Sequence, residues 1–373
     1  MFDVLLSIAI SFAITFLAIP VIITVAERKK LFDIPDERKV HQSPIPSLGG
    51  LGIFAGFILA CLIAIQFQTA TEFQYFFAAA FVIFFLGLKD DILVISPIKK
   101  FIGQVLAAFL IIYKGNIQIR SMHGFLGINE LPEMFSLLLT YLTIIVIINS
   151  FNLIDGIDGL AGSLGLMSAT IFGFYFLQVQ MPAYYILAFS LAGSLAAFLI
   201  FNFQPAKVFM GDTGSLLIGL INAILVVKFI NVANSSEEHF PIAASPAIGF
   251  AILVIPLLDT LRVFAIRIFH RRSPFSPDRN HVHHLLLDKG LSHRTITLIL
   301  VSANLLFIIG AYLSRQTGCT WIILSIVSIF FSGIAALYYT RVQPRLFVAK
   351  SMDSEVKSKI VPLTKDTILE HKN

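Results

Sequence analysis

Long apolar runs alternate with short polar segments along almost the whole chain. Eleven runs, near 4–26, 48–67, 75–88, 101–113, 135–150, 160–177, 184–201, 215–233, 246–266, 296–314 and 320–340, are compatible with membrane spans. The pattern predicts an all-α, polytopic integral membrane protein with about eleven transmembrane helices over residues 1–340, followed by a polar tail over 341–373. No basic region precedes the run from Val4 to Ala26, so it reads as a retained span rather than a cleaved leader. Gly49, Gly50, Gly52 and Gly56 open the second run and read as positions of close helix packing. Pro256 is expected to bend the ninth run, in which Asp259 and Arg262 stand at i,i+3 spacing and read as a pair.

Composition agrees with this reading. The 373 residues are 57% hydrophobic and 13% charged, against roughly 25% charged in an ordinary soluble domain. Cys61 and Cys319 are too few and too far apart in sequence for a disulfide framework or a thiolate metal site. The net charge of +5 calls for no nucleic acid, because the basic residues fall in loops where topology places them. With the N-terminus outside, most Lys and Arg lie in inner loops or the tail, and only Lys114, Arg120, Lys228 and Arg315 lie outside. That bias predicts a cytoplasmic C-terminus.

The topology gathers the polar motifs at one face. Lys89-Asp90-Asp91 follows the third run and the segment Asn149 to Gly159 follows the fifth. Phe209 to Gly214 follows the seventh, and Asp278 to His284 follows the ninth. Even numbers of crossings separate them, so they share a side whichever way the chain is inserted. Asp90, Asp91, Asp155, Asp158 and Asp212 are hard oxygen donors of the kind that suit Mg²⁺, with Mn²⁺ as an alternative. His281, His283 and His284, with Arg279 nearby, supply donors for phosphate. Acids for a metal beside donors for phosphate point to phosphoryl transfer.

Each motif also has a plainer reading: a solvated boundary for Asp90-Asp91, a turn for Asp155 to Gly159, and a helix cap for Asp212 or Thr213. A transporter is the rival class. It expects ionisable groups near mid-membrane with internal repeats, whereas here most acids cluster at one end and no internal repeat is evident.

The ordered set Lys89-Asp90-Asp91, Asn149 with Asn152, Asp155 and Asp158, Phe209-Met210-Gly211-Asp212-Thr213-Gly214-Ser215 and His281-Val282-His283-His284 resembles the polyprenyl-phosphate N-acetylhexosamine-1-phosphate transferase family. The resemblance extends from the early loop Pro35 to His41 as far as Arg294. It implies a bacterial inner-membrane enzyme, with its site at the cytoplasm, that transfers a sugar-1-phosphate from a UDP-sugar to undecaprenyl phosphate and releases UMP. Val282 interrupts the histidine run, so the segment is similar to the branch using UDP-N-acetylglucosamine to initiate a cell-envelope polysaccharide. The alternative is the muramoyl-pentapeptide branch of peptidoglycan synthesis, which usually shows three consecutive histidines.

By motif position the resemblance implies Asp212 as the Mg²⁺ ligand, with Asp91 supporting the metal and Asp90 positioning the lipid phosphate or accepting its proton. Asn152, Asp155 and Asp158 would contact the nucleotide or shape the metal site, Phe209 would stack on uracil, and the three histidines would hold diphosphate or sugar. Lys99 and Lys100 are candidates for the lipid phosphate, and a homodimer is a family-level expectation.

Overall fold

The computed structural model describes residues 2–33, 45–233, 240–271 and 280–340. Arg279, most of the early basic loop and the tail 341–373 lie outside the described residues. Helices dominate: α1 Phe2–Lys29, α2 Gly49–Ala64, α3 Phe73–Ile92, α4 Pro97–Phe109, α5 Glu133–Ile154, α6 Leu160–Gln178 and α7 Pro182–Asn202. After them come α8 Gly211–Ala233, α9 Ser245–Ile252, α10 Val254–Phe269, α11 Val282–Leu287, α12 His293–Leu313 and α13 Cys319–Tyr339. Leu110–Lys114 extends α4 as a π-helical turn. Two short antiparallel pairs complete the described residues, β1 Phe32–Asp33 with β2 Ile45–Pro46 and β3 Ser121–Phe125 with β4 Ile128–Glu130.

Every apolar run is helical, yet the runs are not equivalent. Seven helices, α1, α5, α6, α7, α8, α12 and α13, are each long and apolar enough to cross a membrane, and the bent pair α9 and α10 makes up to eight. The structure is thus an all-α polytopic membrane protein, with seven or up to eight such spans among the described residues. The remaining runs form the shorter α2, the charged-ended α3, and α4 with its π turn.

The ninth run is broken rather than merely curved: α9 and α10 meet at 81°. Pro256 stands at the third position of α10, where it brings no N–H and its ring crowds the carbonyl four residues back, that of Ile252. Backbone groups freed inside a membrane need partners. Asn304 of α12 supplies both, accepting from Ile255 N at 3.1 Å and donating to Ile252 O at 3.0 Å.

α8 is the most buried of the seven long apolar helices and packs against α2, α3, α5 and α6. Small residues let the backbones approach. A Cβ at Gly87 would stand 2.6 Å from Thr213 Cα, and one at Gly50 would overlap Gly214 N. The expected role of the second-run glycines is therefore met, since Gly52 and Gly56 likewise press α2 onto α1. These contacts bring the end of α3 beside the start of α8 and so position the site.

Candidate active site

The segment leading into α8 runs across the start of α2. Phe209 N donates to Pro46 O at 2.8 Å, while Phe209 O and Met210 O accept from Gly49 N and Gly50 N at 2.9 and 2.8 Å. The first amides of α2 are thereby satisfied. Gly211 turns the chain into α8 at φ +69°, where a Cβ would meet the Asp91 carboxylate at 2.7 Å. Asp91 caps α8 from another helix: Oδ1 accepts from Asp212 N at 2.7 Å, and Oδ2 from Thr213 N and Thr213 Oγ1 at 3.0 and 2.5 Å. A carboxylate at a helix N-terminus is well placed electrostatically. It also fixes the direction in which Asp212 leaves the backbone.

Asp90, one residue earlier, accepts from Ile95 N at 2.8 Å and so folds back the turn between α3 and α4. Pro97 starts α4, and one turn later Lys100 returns to the acids. Its Nζ lies 2.6 Å from Asp90 Oδ2 and 2.5 Å from Asp212 Oδ2. Asn152, near the end of α5, donates to Asp212 Oδ1 at 2.9 Å and to Ser215 Oγ at 3.0 Å. Asn149, a turn earlier, is spent on structure, pairing with Gln104 of α4 at 2.7 and 3.3 Å.

Asp155 ends α5 and is half-buried, without a hydrogen bond or ion pair among the described residues. Burial, followed by the negative fields of Asp212, Asp91 and Asp158, pushes its carboxyl up to about 8. Asp155 is thus mostly protonated near neutral pH, while Asp90 and Asp212 share the one ammonium of Lys100. Lys99, in contrast, is exposed.

Asp158 is an anchor. His293 Nδ1 lies 3.1 Å from Oδ1, Oδ2 accepts from Ala206 N at 3.1 Å, and the Asp158 carbonyl accepts from Thr297 Oγ1 at 3.0 Å. Gly159, at φ +78°, donates to Asn202 Oδ1, whose amide in turn donates to Val208 O. Asp158 thus ties the loop after α5 to the start of α12 and to the loop before α8.

The histidine segment closes over this loop. The rings of His281 and His283 stack at 5.5 Å, and those of His283 and His284 lie 4.4 Å apart. His283 is buried with Nε2 pressed on Gly156, where no side chain would fit, and its Nδ1 has no hydrogen-bond partner among the described residues. Burial, then the neighbouring His284, pushes His283 down to about 3, so its ring is neutral at physiological pH. Phe209 is half-buried at the entrance to α8.

Residues 73–230 match the model of glycosyl transferase family 4. The chain is 34% identical over 311 residues to the decaprenyl-phosphate N-acetylglucosaminephosphotransferase of Mycobacterium leprae, covering 77% of each chain. It is 31% identical over 334 residues to the probable undecaprenyl-phosphate N-acetylglucosaminyl 1-phosphate transferase of Bacillus subtilis, covering 87% of this chain and 89% of that one. A third relative, the undecaprenyl-phosphate alpha-N-acetylglucosaminyl 1-phosphate transferase of Haemophilus influenzae, is 35% identical over 305 residues, covering 79% and 82%. The chain belongs to glycosyl transferase family 4. The matched family region contains the whole acid cluster with Lys100 and Asn152, while the histidine segment lies beyond it.

Every acid found together here is a motif residue of the sequence, as is Asn152, and Lys100 stands near Lys89-Asp90-Asp91. Not foreseen are Thr213 as a partner of Asp91, Ser215 as a partner of Asn152, and His293 as the partner of Asp158. Also not foreseen is a second duty of Asp259, which holds His281. The signal for Asp259 was present, since ionisable residues inside spans are costly and need a reason.

Proposed function

We propose that this family member transfers N-acetylglucosamine-1-phosphate from UDP-N-acetylglucosamine to undecaprenyl phosphate, starting a cell-envelope polysaccharide. The observation that carries the proposal is the convergence of Asp90 and Asp212 on Lys100, with Asp155 in the field of Asp212, at one end of a membrane bundle. The relatives' names support N-acetylglucosamine over the muramoyl-pentapeptide donor. The loops carrying the site are those predicted to face the cytoplasm, where a nucleotide sugar is available, and the apolar helices leave the acceptor's isoprenoid tail in hydrocarbon.

The reaction is a single displacement. An oxygen of the lipid phosphate forms a bond to the β-phosphorus of the nucleotide sugar. The bond from that phosphorus to the α–β bridging oxygen breaks, and UMP leaves with the electron pair. Such a reaction needs positioning and charge neutralisation more than covalent help.

Lys100 stands between Asp90 and Asp212, where its ammonium can turn to a phosphate oxygen when a cation takes the two carboxylates. Asp155 is the acid with unspent capacity, suited to take a proton or to face a cation. His281 and His283 form the lid on the donor's diphosphate, and Phe209 is the candidate surface for uracil.

A divalent cation fits these residues. Among the described residues no three acid or histidine side chains are grouped to hold a metal. The Asp90 and Asp212 carboxylates nevertheless converge on one cationic atom, Lys100 Nζ. Two carboxylates with room for water and phosphate are what Mg²⁺ takes. Asp212 with Asp90 would hold it, and when bound it would neutralise charge on the pyrophosphate. Asp91, expected to support the metal, instead does so indirectly in this reading, by capping the helix that carries Asp212.

The test is a radiolabel transfer assay with purified protein, undecaprenyl phosphate and Mg²⁺, offered UDP-N-acetylglucosamine and UDP-N-acetylmuramoyl-pentapeptide separately. Label entering lipid from the first donor alone is expected. Label from the second alone would move the chain to the other branch, and label from neither, beside an active reference enzyme, would overturn the proposal.

A further inference from the structure

Asp259 and Arg262 lie inside the broken span, apart from the acid cluster, and both are buried. The Asp259 carboxylate makes three contacts. Oδ1 accepts from Arg262 Nη2 at 2.9 Å and from Val282 N at 3.0 Å, while Oδ2 lies 2.8 Å from His281 Nδ1. Arg262 also donates from Nη2 to Asn280 O. Two side chains of α10 thus hold the backbone on both sides of His281 and one nitrogen of its ring.

An ion pair needs none of this additional restraint, and charges within a span are expensive to keep. A histidine whose Nδ1–H is held by a carboxylate has its tautomer and ring plane fixed, leaving Nε2 on the opposite edge for another partner. From His281 the contacts continue through the stacked His283 ring to Gly156, the neighbour of Asp155. The break between α9 and α10, clamped by Asn304, sets the direction in which α10 carries Asp259 and Arg262 to this place.

We infer that Asp259 and Arg262 are positioning residues for the transfer, a clasp on α10 that fixes the His281 tautomer and presents Nε2 to the donor's diphosphate. What meets Nε2 rests on the proposed transferase reaction, whereas the clasp itself does not. The geometry also dictates what an amide would do. In Asp259→Asn the side-chain oxygen is demanded by two donors, Arg262 Nη2 and Val282 N, so the NH₂ group must face His281 Nδ1. The ring then carries its proton on Nε2.

The test uses full-length protein labelled with ¹⁵N-histidine, with the His281 signals identified by their loss in His281→Gln. In Asp259→Asn, the proton is expected to move from Nδ1 to Nε2, and kcat/KM for UDP-N-acetylglucosamine to fall about 10–100-fold, as for groups that orient functional histidines. An unchanged tautomer together with wild-type kcat/KM, while His281→Gln is impaired, would overturn the inference. Should Asp259→Asn fail to fold, Arg262→Gln keeps the Asp259–His281 contact and releases the Asn280 carbonyl. It is expected to raise KM for the donor more than it lowers kcat, and unchanged kinetics would overturn the clasp. If wild-type protein transfers no sugar phosphate, the transferase proposal fails, and the tautomer measured without substrate still decides the clasp.

Discussion

The acids of this protein fall into two regions that treat negative charge in opposite ways. Asp158 and Asp259 are buried and answered, the first by His293 and the Ala206 amide, the second by Arg262, His281 and the Val282 amide. Asp90 and Asp212 share the single ammonium of Lys100, and Asp155, in the fields of Asp212 and Asp91, has no partner among the described residues. Satisfied acids hold loops and helices in place. An acid cluster left short of positive charge suits something that arrives, which in the proposed transfer would be a cation and phosphates.

The largest effect that sharpens this contrast is expected from Lys100→Met. Without the ammonium, Asp90 and Asp212 face each other unbalanced, and turnover should fall about a hundredfold or more, measured as initial transfer rate per folded molecule. Asp158→Ala should act through the fold instead. Losing a buried partner of His293 and of the Ala206 amide should cost about 3 kcal/mol, read as a lower melting temperature in detergent. The surviving folded fraction should keep turnover within tenfold of wild type.

A third effect follows from the charge deficit. Asp155 titrates near 8 in the folded chain and near 4 when unfolded. Between those values the folded state binds the extra proton, so stability is greatest at the acidic end of this window and falls as pH rises through it. Melting temperature without divalent cations should therefore drop from pH 6 to pH 8, and Asp155→Asn should flatten that slope. The smallest effect should come from Lys99→Met, since Lys99 is exposed beside Lys100 and touches none of the acids. Its transfer rate should stay within about twofold of wild type, as for surface substitutions away from packed or paired groups.

Much of this site could be read from the chain because the acids, glycines and histidines stand in short motifs between apolar runs. The helices could be read for the same reason. What sequence could not supply was the choice of partner. Lys99 and Lys100 are adjacent and chemically alike, and only the turn folded by Asp90 selects the second. That Asp91 caps a helix whose first residues lie 121 positions away cannot be read from its own motif. Asp158 finds His293 at a separation of 135 residues. Pro256 announced a bend, but not that Asn304 would permit a full break by satisfying both sides of it. These outcomes depend on long-range packing, which local pattern does not encode.

The most direct measurement follows the β-phosphate label of UDP-N-acetylglucosamine into lipid with wild-type protein, Asp212→Asn and Asp158→Ala side by side, each normalised to its folded fraction. Loss of about a thousandfold in Asp212→Asn, with melting temperature retained, beside near-normal transfer by folded Asp158→Ala, is the expected result. Wild-type transfer by Asp212→Asn, or equal loss in both variants, would contradict the division between charges that serve the reaction and charges that hold the fold.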